Sequence, residues 1–214
     1  MASCHDASFM DDPRFVEALS TARERNTSKA DTYAWNVMVA CWAASQASRL
    51  DGDFIECGTD RGSTAAAVLQ YLSSQDNSRR FWLFDTFQGM VESQISKTDF
   101  GAHNRFYEDT FHAVQKYFGQ WSNVRPVQGV VPDSLKILPD QIKVAFLHID
   151  MNCAEPESAA LEFFRDKLVP GALILLDDYG WIAYRNQKTV HDTFAESIGR
   201  KVLPLPTGQG LIIV

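Results

Sequence analysis

The chain has no long apolar run, no basic cluster and no paired cysteines, and each absence narrows what it can be. Its four cysteines, Cys4, Cys41, Cys57 and Cys153, lie far apart with no C-x-x-C pair, which argues against a zinc site and against a disulfide framework. Lys and Arg are scattered and the formal net charge is −7, so a phosphate backbone is a poor partner and nucleic acid is not expected. No stretch reaches membrane-spanning length, and residues 1–25 mix Asp, Arg, Glu and His without the apolar core of a signal peptide. A cytoplasmic protein without membrane contact is expected. There is no internal repeat, and the dinucleotide fingerprint G-x-G-x-x-G is missing as well.

What is present is one core-forming chain of 214 residues with 45% hydrophobic content, read as a single domain over 1–214 with a helical N-terminal extension over 1–30. Asp53-Phe54-Ile55-Glu56-Cys57-Gly58-Thr59-Asp60-Arg61-Gly62-Ser63 runs from a short apolar segment through two glycines into an Ala-rich helical pattern. It reads as strand, tight turn and helix start, whose free N–H groups and Gly residues can cradle a polar or anionic group. Asp60 stands where the fingerprint's second Gly would be, so a pyrophosphate fits poorly. A ligand with an amino group, a carboxylate and a ribose suits the turn better, though an ordinary strand-to-helix connection gives the same pattern.

The same pattern recurs. Helical spacing covers Asp12–Asn26, behind Asp11-Asp12-Pro13, and Asp31–Leu50, where Trp35 and Trp42 are expected to cover the sheet. Arg80–Asp85 is a second apolar run closed by an acid, and Asp85 there can accept hydrogen bonds from both hydroxyls of a ribose or cap its own turn. Residues 88–105 show no clean period and read as a lid loop containing His103. Helical spacing returns at Phe106–Phe118, and a third strand spans Asn123–Gly129. Lys143–Asp150 and Ala172–Asp178 are further apolar runs ending in acids, with a helix between them over Glu155–Leu168. A helix over Gln187–Ile198 and a closing hairpin complete the chain. Near-continuous apolar strands alternating with helices predict an α/β doubly wound, Rossmann-like parallel sheet covered on both faces.

Tips of parallel strands face one edge, so Asp150 and the pair Asp177-Asp178 come to neighbouring strand ends. Two unit charges ~4 Å apart repel by ~4 kcal/mol at an effective dielectric near 20. Either a cation, for which an all-oxygen donor set favours Mg²⁺, or a protonated carboxyl, or carboxylates turned apart to cap helices resolves that repulsion.

The motifs Asp53-Phe54-Ile55-Glu56-Cys57-Gly58, Phe84-Asp85-Thr86-Phe87-Gln88-Gly89, His148-Ile149-Asp150, Asp177-Asp178-Tyr179 and Leu205–Leu211, in this order, resemble the macrocin O-methyltransferase family of the TylF/MycF type. The likeness runs from about Asp31 to the C-terminus. It implies a class I S-adenosylmethionine-dependent methyltransferase with a seven-stranded sheet whose last strand is antiparallel, methylating a hydroxyl of a small molecule such as a sugar or natural product with Mg²⁺. By this resemblance Glu56, Gly58 and Thr64 meet the methionine end of the cofactor, Asp85 and Thr86 the ribose, and Gly129 to Val131 the adenine; Asp150, Asp177 and Asp178 hold the metal, a strand-end site similar to that of catechol O-methyltransferase. The family's Gly-Asp after His-Ile-Asp is here Met151-Asn152. Asn cannot take a proton, which leaves Asp150, His191 or His103 as base, or a metal-lowered hydroxyl pKa. His191 also reads as a packing residue, and His148 as a hydrogen-bonded core residue. Tyr179, Trp181 and Tyr184 read either as an acceptor wall or as loop packing. Expected partners are a small-molecule hydroxyl acceptor and a second copy in a homodimer. The rival functions are a cofactor-binding regulator of the same fold without turnover and a nucleotide-dependent oxidoreductase.

Overall fold

A computed structural model describes residues 6–26, 33–72, 79–99 and 109–214. Helix α1 (Pro13–Arg25) opens as expected: the Asp12 carboxylate accepts from Arg14 N at 2.9 Å and Pro13 occupies the first turn, where a missing N–H costs nothing. Then come α2 (Tyr33–Ala47), β1 (Asp53–Cys57), α3 (Ser63–Leu72), β2 (Phe81–Asp85), α4 (Phe111–Phe118), β3 (Val124–Gln128), β4 (Val144–Ile149), α5 (Ala154–Phe164), β5 (Leu168–Leu176), α6 (Arg185–Ser197), β6 (Leu203–Pro204) and β7 (Gly210–Ile213).

The strands form one seven-stranded sheet in the order β3-β2-β1-β4-β5-β7-β6. β1 to β5 are mutually parallel, and β7 runs antiparallel to both β5 and β6. Period-two alternation sends Phe54, Phe81, Leu83, Phe146, Leu173 and Leu175 into a core beneath α2 and α3, and Ile55, Phe84, Leu147, Ile149, Ile174 and Leu176 into a second core beneath α5 and α6. The chain leaves β1 toward β2 and β3, then returns to place β4 on the other side of β1. That reversal opens a crevice outside the carboxyl ends of β1 and β4.

Three readings need correction. The tryptophans of α2 do not cover the sheet: Trp35 packs on Phe9 with ring centroids 4.4 Å apart, and Trp42 is 41% exposed. The covering face is Ala40, Ala43, Ala44 and Ala47, small residues that let α2 lie close to a sheet already thick with phenylalanine. β5 begins at Leu168, so Pro170-Gly171 lies inside it, beside a register shift between Val144 and Phe146 on β4. A Pro there is tolerated because a bulge frees it from the ladder. Finally, α4 starts at Phe111; residues 106–108, the lid positions 100–105 and His103 lie outside the described residues. Among the described residues no helix is long and apolar enough to cross a membrane.

Candidate active site

The crevice is built on the β1 turn. Gly58 has φ +89°, and a Cβ there would lie 1.9 Å from the Asp150 carbonyl oxygen, so only glycine lets the tips of β1 and β4 close together. Among the described residues three non-glycine residues also take positive φ, Asp60, Phe87 and Asn152, and they follow the ends of β1, β2 and β4. Backbone held in this costly region at three adjoining strand ends is the pattern of a functional site.

The N–H groups expected to be free in this turn are engaged. Thr59 N and Asp60 N both donate to Asp85 Oδ2 at 2.7 Å, and Phe87 N donates to Asp85 Oδ1 at 2.7 Å. Thr86 Oγ1, 3.3 Å from Oδ1, lies 2.5 Å from the Gly89 carbonyl, so its single proton has a closer acceptor. A carboxylate offers about four lone-pair directions. Asp85 therefore braces the β1 and β2 turns together with three of them and leaves one open.

Of the residues assigned from the sequence, Gly58, Asp85, Thr86, Gly129, Val131 and Asp150 line this crevice. Glu56 does not: it is 1% exposed and its Oε2 lies 3.1 Å from His148 Nδ1. Thr64 sits half-buried in the first turn of α3, off the crevice wall. Sequence reasoning missed Met90, Val91 and Gln94 after β2, and Met151, Cys153 and Pro156 at the start of α5. The irregular composition after β2 signalled a loop over the site but gave no period from which to pick inward residues. Gln94 shows how the loop is anchored, since its Nε2 donates to the Val131 carbonyl at 2.7 Å. The wall is apolar at Phe84, Met90, Val91, Val131 and Met151 and acidic at Asp60, Asp85 and Asp150.

At the acid-bearing tips, one ligand atom each from His148, Asp150 and Asp177 lie within 4.8 Å of one another. Asp178 is not in this group, but its buried carboxyl feels the charges of Asp150 and Asp177. Asp177 Oδ1 accepts from Gln209 Nε2 at 2.8 Å, and the Gln209 carboxamide oxygen accepts from Thr207 Oγ1 at 2.9 Å, which ties the β6–β7 hairpin to the site. Burial, then the charge of Asp177, pushes the Asp150 carboxyl well above the usual carboxylate range. Burial, then Asp150 and Asp177, does the same to Asp178. For Asp177 burial acts upward, but the neighbouring His148 and Gln209 outweigh it and hold the carboxyl low. The upward shifts of Asp150 and Asp178 agree in direction with the repulsion inferred from the sequence.

His191 does not reach the crevice. It is 0% exposed, its Nε2 lies 2.7 Å from Glu157 Oε2 and its ring stacks on Tyr179. Glu157 Oε1 in turn accepts from Met151 N at 3.1 Å. His191 therefore supports the β4 turn from behind, and the geometry excludes direct proton abstraction by it from a bound hydroxyl. Tyr179 likewise turns inward, 5% exposed, with its hydroxyl donating to Asp192 Oδ1 at 2.7 Å; it forms no acceptor wall. Trp181 remains exposed. Asn152 does line the crevice, with its Nδ2 3.4 Å from Asp150 Oδ1.

This fold and crevice define a Rossmann-like methyltransferase architecture. The chain matches the O-methyltransferase NovP with a TM-score of 0.77 over 97% of this chain and 99% of that one, at 18% identity. It matches a calicheamicin methyltransferase with a TM-score of 0.73 over 99% and 95%, at 16% identity. An O-methyltransferase from Bacillus cereus, solved in complex with S-adenosylhomocysteine (SAH), gives 0.58 over 95% and 91%, at 14% identity. The family model for macrocin-O-methyltransferase (TylF) matches residues 35–199, and the chain belongs to that family. A curated relative from Streptomyces olivaceus, 8-demethyl-8-(2,3-dimethoxy-alpha-L-rhamnosyl)-tetracenomycin-C 4'-O-methyltransferase, is 26% identical over 169 residues, 71% of this chain. The match spans 61% of that relative's length.

Proposed function

We propose that this chain is an S-adenosylmethionine-dependent O-methyltransferase that methylates a hydroxyl of a sugar-bearing small molecule, assisted by a divalent cation. The observation that carries the reading is the crevice at the sheet reversal, where Asp85 and Asp150 face one cavity from the tips of β2 and β4. Family membership and the name of the rhamnosyl-tetracenomycin relative support the chemistry and the sugar.

The residues fit the cofactor. Its adenine suits the apolar wall near Val131, Met90 and Val91, a ribose hydroxyl suits the open lone pair of Asp85, and its cationic sulfonium suits an acidic cavity. When bound, S-adenosylmethionine supplies an activated methyl group. His148, Asp150 and Asp177 are the groups that would hold a divalent cation, which supplies Lewis acidity at an acceptor oxygen. The chain's own contribution is positioning: a fixed β1 turn, braced by Asp85, and an Asp150 carboxylate steadied by Asn152. Orientation of this kind can supply ~7–11 kcal/mol of a barrier. Asp150 is a crevice carboxylate able to accept the hydroxyl hydrogen at an Oδ atom, a role that the neighbouring Asn152 cannot take.

The test is transfer of labelled methyl from S-adenosylmethionine to a panel of rhamnosylated and other polyhydroxylated acceptors. Label in a new ether is expected. Saturable cofactor binding with no transfer to any acceptor would favour the regulator without turnover.

A further inference from the structure

The last strand runs antiparallel, and its register decides what it brings to the site. Leu176 of β5 pairs with Gly210 of β7, so the next positions toward the carboxyl edge, Asp177 and Gln209, stand side by side. Their contact is direct: Gln209 Nε2 donates to Asp177 Oδ1 at 2.8 Å. A carboxamide can present either its NH₂ group or its oxygen to a neighbour. Here buried Thr207 removes the choice for buried Gln209. Thr207 Oγ1 accepts from Gln209 N at 3.3 Å and donates its own proton to the carboxamide oxygen at 2.9 Å, which turns the NH₂ group to Asp177. The turn that carries both residues is itself fixed. Gly180 N donates to the Gly208 carbonyl at 2.7 Å, and the Trp181 indole lies so close that a Cβ on Gly208 would stand 2.4 Å from its Nε1.

One carboxylate oxygen of Asp177 is held and the other is not. Oδ1 takes the Gln209 hydrogen bond and lies 3.8 Å from His148 Nε2. Oδ2 has no hydrogen-bond partner among the described residues, and the side chain is 27% exposed. An Asp177 oxygen also comes within 4.8 Å of one from Asp150, and two carboxylates so placed repel and turn apart unless something fixes them. We propose that Gln209 is a positioning residue for Asp177: it anchors Oδ1 and leaves Oδ2 as the oxygen for a divalent cation, with Thr207 setting the orientation of Gln209 in turn. This deepens the metal-assisted reading above and rests on it. A neutral amide suits the task, because it orients the carboxylate without cancelling the charge that a cation needs, as a Lys or Arg in its place would. Partners of this kind, one step removed from the ion, typically set metal affinity by ~10–100-fold.

The test uses the full chain without cofactor and Mn²⁺ as the probe, its free fraction read by paramagnetic resonance. Gln209→Leu keeps the bulk and removes the donor; it should weaken Mn²⁺ by ~10-fold or more and leave the Kd for SAH, read by calorimetry, within ~2-fold of wild type. Thr207→Val frees the carboxamide to turn and should weaken Mn²⁺ as well, whereas Thr207→Ser keeps the hydroxyl and should match wild type within ~2-fold. Wild-type Mn²⁺ affinity in Gln209→Leu overturns the proposal. So does an equal loss of Mn²⁺ and SAH affinity, which marks Gln209 as a structural residue only. Should Gln209→Leu fail to fold, the Thr207 pair decides, and equal Mn²⁺ affinity in Thr207→Val and Thr207→Ser overturns the proposal. With Mn²⁺ bound by wild type, these outcomes leave the metal-assisted reading untouched. Absence of Mn²⁺ binding to wild type overturns both together, while methyl transfer in excess chelator would show the transferase reading standing without either.

Discussion

Asp85→Asn separates the two roles assigned to this carboxylate. In the wild type, Oδ2 accepts from Thr59 N and Asp60 N and Oδ1 from Phe87 N, all at 2.7 Å. Asparagine keeps one oxygen, so its NH₂ group must face either the Thr59/Asp60 pair or Phe87. One or two charge-assisted bonds are lost, worth ~1.5–3 kcal/mol each when intact. Partial solvent access lets water replace part of that. The net expectation is a destabilisation of ~1.5–3 kcal/mol, read by urea unfolding as a lower midpoint at unchanged slope. The remaining acceptor direction is assigned to a ribose hydroxyl, and losing its charge should weaken SAH by ~1.5 kcal/mol, about tenfold in Kd. Calorimetric titration with SAH, at a temperature where both proteins are folded, reads the second effect. Stability within ~0.5 kcal/mol of wild type would refute the bracing role. Lost stability with an unchanged Kd would refute the ribose role and leave Asp85 as a turn brace.

Gly58→Ala forces a Cβ to within 1.9 Å of the Asp150 carbonyl at φ +89°; left-handed strain plus overpacking should cost ~2–5 kcal/mol, with SAH binding lost in calorimetry, and a variant of wild-type affinity would contradict the closed strand tips. His191→Phe leaves Glu157 buried without its partner, so unfolding should show a loss of ~3–5 kcal/mol, while the methyl-transfer rate at a temperature where the variant is folded should fall less than ~10-fold, in contrast to the ~10²–10⁴ of a lost general base. Asp178 is pushed up by burial and by Asp150 and Asp177, and a carboxyl raised in the folded state contributes stability at low pH that is lost as pH rises through its folded value. In metal-free protein Asp178→Asn should therefore gain in Tm over wild type as pH is raised through that value and converge with it below about pH 4; a constant difference across the range would show that Asp178 does not ionise against its neighbours.

Much of the fold was legible because its signals are local. Acid-terminated apolar runs gave β1, β2, β4 and β5 within a few residues, the Asp12-Pro13 cap gave α1, and Gly58 marked the turn that only glycine can make. The side of the sheet on which those acids meet followed from topology alone. What was not legible depended on side-chain direction. Asp177 and Asp178 are adjacent, and sequence cannot say that the first stands beside His148 and accepts from Gln209. His148 was read as a hydrogen-bonded core histidine because it lies in a strand, and it is one; its partner, Glu56, follows only from the register of β1 with β4. His191 and Tyr179 were each read either as site residues or as packing residues, and only the structure shows the His191 ring paired with Glu157 of α5 and the Tyr179 hydroxyl with Asp192 of α6. Met90 and Val91 were invisible because a loop without period gives no inward face.

The most direct test of the account is an equilibrium titration of the purified chain with S-adenosylmethionine, with NAD as the control. A single saturable site for S-adenosylmethionine that SAH competes for, with no NAD binding, is the predicted result. Saturable binding of NAD with none of S-adenosylmethionine would contradict it.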